Sequence, residues 1–239
     1  MKMPSFDIYE RELRYMPYKK SLERVAQIVC SEVPRYGDIL DLMCGTGYLL
    51  GKIKARRPDL YSYGVDINKE FITEAQEKYW KRGMFFETGD ILTWSPWKER
   101  FDASKDKFDA VICTGALHHI AYEKQEEVVR KFSEMSNPNG LVIISDCYID
   151  DYQNEKQRKV AGALLGYEYL KETILNGAPD EVVKATIEIL HNDVMKEEFK
   201  TSLEKRLPIF KKYFSKVDIE KTWPSHQTGY GDYIAILRR

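Results

Sequence analysis

The feature that most constrains the fold is an alternation of two sequence patterns between residues 38 and 148. Short apolar runs, most of them rich in β-branched residues, alternate with longer stretches that have the periodicity of amphipathic helices. The apolar runs cover residues 38–42, 61–66, 84–87, 108–113 and 141–145, and the clearest helical stretches cover 69–81 and 124–135. Connections of this length are what crossovers between parallel strands require. The alternation therefore predicts an α/β fold with a parallel sheet covered by helices.

Two further helical segments lie outside this alternation. Residues 1–36 have the pattern of one or two amphipathic helices that break near Pro17. Residues 150–200 contain two helical stretches separated by a turn at 177–180, where Asp180 is the expected helix N-cap. This second segment is longer than a crossover needs, so it predicts a helical insertion.

Local turn and capping chemistry predicts where later elements begin and end. The sequence Asn-Pro-Asn-Gly at 137–140 predicts a stop and a turn before the fifth strand. Thr201 and Glu204 match a capping box that opens a last helix. Two strand candidates, at 216–222 and 232–237, then close the chain.

Length, charge and cysteine spacing narrow the class of protein. A chain of 239 residues is near the upper size that one hydrophobic core supports. Since 37 Lys and Arg face 38 Asp and Glu, the net charge of −1 provides no overall field for a polyanion, and binding to nucleic acid is not expected. No apolar run approaches the roughly 20 residues of a membrane helix, and charges occupy the place of a signal-peptide core. The four cysteines lack paired spacing, so we expect a cytoplasmic protein with reduced thiols.

A glycine turn with acidic partners is the most informative motif. The first predicted strand runs into residues 41–47, Asp-Leu-Met-Cys-Gly-Thr-Gly, which lead into a helix. Gly45 and Gly47 allow a ligand to approach the backbone closely. Asp66 ends the second predicted strand, where a carboxylate can accept both hydroxyls of a ribose, and Asp90 follows the third. Because the carboxyl ends of parallel strands meet at one edge, these groups predict a ligand site there.

These motifs, in this order over residues 38–148, resemble those of class I S-adenosylmethionine-dependent methyltransferases. A dinucleotide site is the nearest competitor, but its third glycine position holds Leu50 here. The resemblance implies a Rossmann-like fold with a seven-stranded, mostly parallel sheet, an antiparallel last strand and a helical insertion after strand five. It implies a single domain over residues 1–239, with an N-terminal helical segment (1–36), a cofactor-binding core (37–149), a helical lid (150–200) and a last helix with a strand pair (201–239).

The resemblance also implies the cofactor, S-adenosylmethionine, with S-adenosylhomocysteine as product, and a set of residues that contact it. The loop around its methionine part would be formed by Asp41, Cys44, Gly45 and Gly47. Asp66 would hold the ribose, Ile67 would pack on the adenine, Asp90 and Ile91 would contact the adenine edge and face, and Thr114 would lie beside the sulfonium. The family commonly has glycine where this chain has Met43, whose side chain either narrows the methionine pocket or faces the other side of the strand.

Three histidines are candidates for a general base. His118 and His119 follow the fourth predicted strand in a Leu-His-His sequence that is frequent in the family, and His226 lies in the loop between the last two strands. Histidine titrates near neutral pH, so each can take a proton from an acceptor. Each can equally be a packing or solvated residue. No spacing in the chain predicts a metal site.

The acceptor is the least determined part of the function. A small-molecule acceptor, methylated at oxygen, nitrogen or carbon, fits the near-neutral charge and the helical insertion, and tyrosines such as Tyr9, Tyr18, Tyr148 and Tyr169 are candidates for its pocket. The alternatives are a methyltransferase acting on RNA or protein, for which 52–57 supplies a local basic cluster, and a non-catalytic partner subunit that binds the cofactor. The oligomeric state is not predicted.

Overall fold

The structure is a computed structural model that describes residues 6–79, 83–96, 107–195 and 198–239. Its strands are β1 (Asp38–Leu42), β2 (Tyr61–Asp66), β3 (Met84–Thr88), β4 (Phe108–Thr114), β5 (Ser136–Tyr148), β6 (Lys216–Trp223) and β7 (Gly231–Arg238). Its helices are α1 (Phe6–Tyr15), α2 (Lys19–Glu32), α3 (Tyr48–Arg56), α4 (Lys69–Tyr79), α5 (Tyr122–Met135), α6 (Glu155–Leu175), α7 (Asp180–Met195) and α8 (Leu203–Tyr213). A short 3₁₀ turn, Leu117–His119, follows β4.

The strands form one sheet in the order β3-β2-β1-β4-β5-β7-β6. Strands β1 to β5 pair in parallel, whereas β7 is antiparallel to both β5 and β6. The order reverses between β1 and β4, and open α/β sheets bind ligands at the carboxyl ends of the strands beside such a switch point. The predicted fold class, with its antiparallel last strand and its helical insertion after strand five, is confirmed.

Strand alternation distributes the apolar side chains over two core clusters. Ile39, Ile112 and Ile143 face the first cluster, which they share with side chains of α2, α3 and α4. Their neighbours along the strands, such as Leu40 and Val111, face the second cluster with side chains of α5 and α8. Successive side chains of a strand point to opposite faces, so both faces of the sheet are covered.

Three predicted boundaries were wrong. The turn expected at 137–140 belongs to the start of β5, where Phe108 pairs with Ser136 but Ala110 pairs with Leu141, so these residues form a bulge. The last helix is capped by Ser202 rather than Thr201, because the Ser202 hydroxyl accepts the N–H of Lys205 at 3.3 Å. Asp180 lies in the first turn of α7 rather than before it, where its charge meets the helix dipole. The predicted helix at 69–81 is described only to Tyr79; residues 80–82 lie outside the described part.

The insertion contacts the N-terminal helix as well as the sheet. Helices α6 and α7 pack on each other where Gly166 lies against Leu190. Arg11 of α1 forms an ion pair with Glu181 of α7, and the side-chain amide of Asn176 donates to the carbonyl of Tyr15 at 2.7 Å. Among the described residues, every helix is too short or too polar to cross a membrane.

Candidate functional site

The loop between β1 and α3 has three residues with left-handed backbone: Met43 (φ 60°), Gly45 (φ 54°) and Gly47 (φ 70°). At Gly47 an added Cβ would lie 2.6 Å from the ring of Phe86, so only glycine fits there. The loop leads into the N-terminus of α3, whose first N–H groups have no partner within the helix. The chain therefore presents backbone donors and little side-chain bulk at the carboxyl edge.

The backbone explains the departure at Met43. A positive φ favours glycine, which is the residue that the family commonly has at this position. The half-buried Met43 side chain packs against the second cluster, beside Leu40 and Leu42, and also lines a small cavity next to the loop. Whether Met43 narrows the methionine pocket stays a prediction. Strand alternation is not the reason for its orientation, because Met43 lies beyond the end of β1.

Asp41 is a buried carboxylate without a partner. It lies in β1, and both of its side-chain oxygens are buried and accept no hydrogen bond from the described residues. Burial, together with the nearby charge of Asp66, raises its pKa well above the usual range. The hydroxyl of Thr46 in the adjacent loop is buried and unpartnered as well. Such groups are costly unless a ligand, an ion or water satisfies them.

Asp66, at the end of β2, connects the glycine loop to the next helix. Its carboxylate accepts the N–H groups of Gly45 and Asn68, each at 2.8 Å. Burial raises its pKa despite these bonds. Each carboxylate oxygen has two acceptor positions, so further hydroxyl donors can still bind.

The remaining predicted cofactor residues lie beside this pair. Asp90 belongs to a turn in which its carboxylate accepts the N–H of Leu92 at 2.9 Å, and the turn adjoins β2 because Gly89 donates to the carbonyl of Asp66 at 2.9 Å. Ile91 is buried in the second cluster, whereas Ile67 is 67% exposed beside Asp66. Cys44 and Thr114 line the small cavity. Of the two isoleucines predicted to contact the adenine, only Ile67 is exposed.

Two tyrosines from the N-terminal helices fill the space over the glycine loop. Tyr9 of α1 lies with its hydroxyl 3.3 Å from the position of a Cβ on Gly45, and Tyr18 lies 3.6 Å from the corresponding position on Gly115. Both line the small cavity, which has a volume of about 10 Å³. That is hardly room for one water molecule. A ligand that uses the loop therefore requires Tyr9 to move.

The polar groups of this site fit S-adenosylmethionine. The carboxylate of Asp41 accepts no hydrogen bond from the described residues. The amino group of a methionine moiety is a cation with N–H donors, so it can supply the missing bonds. Asp66 has acceptor positions left for ribose hydroxyls, and the exposed side chain of Ile67 offers an apolar surface for a flat ring. The fit concerns donors and acceptors, since Tyr9 occupies the space itself.

A second polar cluster follows β4 and β5. The ring Nδ1 of His118 lies 2.6 Å from an oxygen of Asp146, whose other oxygen accepts the backbone N–H of His118 at 3.1 Å. Glu198, from the segment after α7, lies 3.1 Å from Nδ1 of His119 and 3.5 Å from Nε2 of His118. The Cys147 thiol lies 3.7 Å from Nδ1 of His118. His118 and His119 are thus brought together with two buried carboxylates.

The two histidines of this cluster have pKa values that are shifted in opposite directions. Burial opposes the charge of His118, but Cys147 and Asp146 outweigh it and raise its pKa well above the usual value. Burial and the neighbouring His118 lower the pKa of His119. Burial opposes ionisation of Glu198, but the two histidines lower its pKa to about 2. The two carboxylates thus favour the charged form of His118, whereas the surroundings of His119 favour its neutral form.

Sequence reasoning missed three buried polar residues near this cluster. They are Glu198, Arg206 of α8 and Asp232 of β7. Two nitrogens of the Arg206 guanidinium, Nε and Nη1, are buried without a partner among the described residues. Asp232 accepts a hydrogen bond from Tyr169, and burial raises its pKa to about 7. No local pattern marks these residues, since their partners lie far away in sequence.

His226 does not join the other two histidines. It is exposed in the β6–β7 loop, and its carbonyl accepts a hydrogen bond from the Lys221 ammonium at 3.2 Å. Within the described part of the chain, no contact links its ring to His118 or Asp66.

Comparison with known proteins gives the family. The sequence pattern of a methyltransferase domain family matches residues 39–140. The chain is 26% identical over 147 residues to an uncharacterized methyltransferase of Bacillus cytotoxicus, covering 62% of this chain and 61% of that one. It is 27% identical over 167 residues to the carboxy-S-adenosyl-L-methionine synthase of Campylobacter hominis, covering 64% and 66%. The matches thus span less than two thirds of the length of these curated relatives.

Among solved structures, the fold is similar to that of PKMT2 from Rickettsia typhi in complex with AdoHcy. The TM-score is 0.59 at 15% identity, and the match covers 95% of this chain and 53% of the other. At this identity the likeness concerns the fold alone. The glycine loop, the acid at the end of β2, the sheet order and the matched domain agree with one another: residues 39–140 match a methyltransferase domain, and the fold is that of the class I S-adenosylmethionine-dependent methyltransferases.

Proposed function

We propose that the protein transfers a methyl group from S-adenosylmethionine to an oxygen, nitrogen or carbon atom of a small-molecule acceptor. The observation that carries the proposal is the unpartnered, buried carboxylate of Asp41 under a glycine loop that also contacts Asp66. When bound, the cofactor supplies an electrophilic methyl group on sulfur. The protein's task is to align the acceptor with that methyl group and to exclude water.

The residues of the loop have distinct parts in this proposal. Asp41 binds the amino group, Asp66 binds the ribose hydroxyls, and the glycines at 45 and 47 allow the close approach. Ile67 packs on the adenine, while Asp90 binds at its edge. Cys44 and Thr114, which line the cavity, face the methionine part.

A small acceptor is favoured because the local basic cluster is not available to a nucleic acid. Lys52 and Arg56 both pair with Glu23, and Arg57 pairs with Asp59 at 2.7 Å. Charges that are already paired give little attraction to phosphates. Together with the net charge of −1, these pairs disfavour the RNA-directed alternative.

The polar groups that meet the acceptor are proposed to be His118 and His119 rather than His226. The first two follow β4 at the carboxyl edge, and His119 lies close enough to Asp66 that its charged form partly opposes the burial that raises the pKa of that carboxyl. His119 is also partly open to solvent, with one third of its side chain exposed. An acceptor next to the cofactor would therefore contact His119.

A second candidate function follows from one relative and one residue. The Campylobacter hominis relative is named for making carboxy-S-adenosyl-L-methionine. A carboxylated ligand needs a cationic partner, and two nitrogens of the buried Arg206 guanidinium have no hydrogen-bond partner in the described part of the chain. In this candidate, Arg206 binds the carboxylate.

The first test is calorimetric titration of the full chain with S-adenosylmethionine. We expect binding that Asp66→Ala weakens by about tenfold or more, because a charge-assisted bond is worth roughly 1.5–3 kcal/mol. Absence of S-adenosylmethionine binding, or an Asp66→Ala variant that binds the cofactor as tightly as the wild type, would refute the proposal.

The second test follows the methyl group. The protein is incubated with metabolite extracts and methyl-labelled cofactor, and the products are analysed by mass spectrometry. Label in a small molecule supports the proposed acceptor class and refutes the inert-subunit alternative. Label only in RNA or protein contradicts it, and a cofactor that gains one carboxyl group favours the second candidate.

A further inference from the structure

The polar cluster after β4 and β5 brings three potential metal ligands to one point. One ring nitrogen of His118, one of His119 and a carboxylate oxygen of Glu198 all lie within 4.8 Å of one another. The Glu198 oxygen is 3.1 Å from the His119 nitrogen and 3.5 Å from the His118 nitrogen. Nitrogen and oxygen ligands of Zn²⁺ lie about 2.1 Å from the metal, so two of them are about 3.4 Å apart in a tetrahedron. The two separations from Glu198 match that edge.

The backbone holds the three ligands in place. Phe199 follows Glu198 in the chain, and its N–H donates to the carbonyl of His118 at 2.8 Å. This bond ties Glu198 to the 3₁₀ turn that carries the two histidines. The side-chain amide of Gln125 donates to the carbonyls of Ile120 and Phe199, at 2.7 and 3.2 Å. The segment that carries Glu198 is thus tied to the turn that carries the histidines.

Asp146 orients His118 in the way that metal-binding histidines are usually oriented. Its carboxylate lies 2.6 Å from Nδ1 of His118, so that nitrogen carries the proton and Nε2 faces Glu198. A carboxylate on the far nitrogen of a histidine fixes the tautomer and raises the basicity of the ligating nitrogen. Asp146 is therefore a positioning residue for the site.

We propose that His118, His119 and Glu198 bind a divalent transition-metal ion such as Zn²⁺, with an open coordination position for the acceptor. Two imidazoles and one carboxylate are a ligand set for Zn²⁺ and its neighbours rather than for Mg²⁺. His118 and Glu198 are buried, whereas one third of the His119 side chain is exposed, so the open position faces outward beside His119.

Binding of the ion does not depend on the proposed function, but its role does. With three protein ligands, a bound dication lowers the pKa of a hydroxyl that joins it and polarises that oxygen as a nucleophile. The oxygen's lone pair forms the new bond to the methyl carbon, the carbon–sulfur bond breaks, and its electron pair stays on sulfur. The hydroxyl proton leaves to water. The acceptor class would be hydroxylated molecules whose oxygen can ligate the metal.

The same contacts can also be a proton-bridged ion-pair network, in which a charged His118 lies between two carboxylates. That network needs both hydrogens on the His118 ring, whereas the metal site needs a free Nε2. Direct titration with a metal ion separates the two, because a network filled by protons gives no stoichiometric high-affinity site.

The experiment uses the full chain, dialysed against a chelator and then freed of it. Zn²⁺ is titrated by calorimetry and Co²⁺ by visible absorption, which reports tetrahedral geometry. We expect one ion per chain, at least tenfold weaker binding in His119→Ala and Glu198→Gln, and about 10–100-fold weaker binding in Asp146→Asn. His226→Ala is the matched control, since it removes a histidine outside the cluster, and should bind as the wild type does.

Three results would overturn the proposal: no stoichiometric binding, full affinity in both His119→Ala and Glu198→Gln, or an equal loss in His226→Ala. Circular dichroism checks folding. If Glu198→Gln does not fold, His119→Ala decides, because its partly exposed ring can be removed without stranding a buried charge. Titration of S-adenosylmethionine in excess chelator separates the two proposals. Cofactor binding without any Zn²⁺ site refutes only the metal, and Zn²⁺ binding without cofactor binding refutes only the methyltransferase function.

Discussion

Replacing Asp41 by asparagine should stabilise the cofactor-free protein while weakening cofactor binding. Both carboxylate oxygens of Asp41 are buried and unpartnered, and a buried polar group without a partner costs about 1–3 kcal/mol. Asparagine has nearly the same shape and no charge. The amide is polar too, but it cannot ionise, so Asp41→Asn removes the cost of burying an ionisable group, and we expect it to raise the free energy of unfolding at pH 7 by about 1 kcal/mol or more. Loss of the charge-assisted bond should weaken S-adenosylmethionine binding by about 10–100-fold.

The stabilisation should depend on pH in a definite direction. The pKa of Asp41 is raised in the folded state, by burial and then by Asp66, so the unfolded chain releases this proton more readily. The destabilising effect of Asp41 is therefore greatest at high pH, shrinks as pH falls below the folded pKa, and is lost only below the pKa of the unfolded chain. The difference in unfolding free energy between Asp41→Asn and the wild type should shrink from pH 8 to pH 5.

Urea unfolding followed by circular dichroism, at both pH values, measures the difference, and calorimetry measures the affinity. Asp109→Asn is a matched control, because the Asp109 carboxylate accepts the N–H of Asp38 and the amide of Asn137, both at 2.9 Å. It should not stabilise the protein or change cofactor binding. An Asp41→Asn protein that is less stable than the wild type at pH 8, or that binds the cofactor equally well, would refute the reasoning.

Three further substitutions test other parts of the structure. Tyr36→Asn should raise the free energy of unfolding by about 1 kcal/mol in urea, because Tyr36 is exposed with φ 60°, a backbone that asparagine tolerates better; an unchanged midpoint would contradict this. Tyr9→Ala should raise the observed association rate of S-adenosylmethionine in stopped flow, because the Tyr9 ring covers the glycine loop. If the wild-type pocket is open about one tenth of the time, the increase is roughly tenfold, and a slower rate would exclude Tyr9 as the obstacle. Asp232→Asn should flatten the pH dependence of stability between about pH 4 and 7. Burial raises the Asp232 pKa to about 7, so the stability of the wild type falls as pH rises through that window, by on the order of 1 kcal/mol per pH unit. A variant as pH-dependent as the wild type would show that Asp232 is not responsible.

The parts of the molecule that sequence predicted well depend on neighbours along the chain. The glycine loop is a strand, a turn and a helix within about a dozen residues, so its glycines and Asp41 are visible as one pattern. Asp66 was predictable because it ends the next strand, and parallel strands bring their ends to one edge. The five parallel strands were predictable for the same reason, because each is a short apolar run followed by a crossover along the chain.

The parts that sequence missed depend on contacts between distant segments. Glu198 is 79 positions from His119 and lies in a segment with no regular periodicity. Arg206 reads as the polar side of an amphipathic helix, yet it is buried. Thr201 and Ser202 compete for the same cap, and the structure chooses Ser202 because Thr201 is buried, with its hydroxyl 3.3 Å from that of Tyr152. Single-sequence patterns do not contain such tertiary contacts.

The left-handed backbone at Met43 has a consequence for how ordered the cofactor loop is before anything binds. A glycine at this position would visit many more conformations in the unfolded chain than a methionine does. Methionine has fewer accessible conformations in the unfolded chain, and its left-handed backbone costs about 1–2 kcal/mol in the folded chain. The side chain, held in the second cluster, also restrains the loop on its inner side. The loop is therefore less adaptable than it would be with glycine at position 43, and less entropy is left to lose when a ligand arrives.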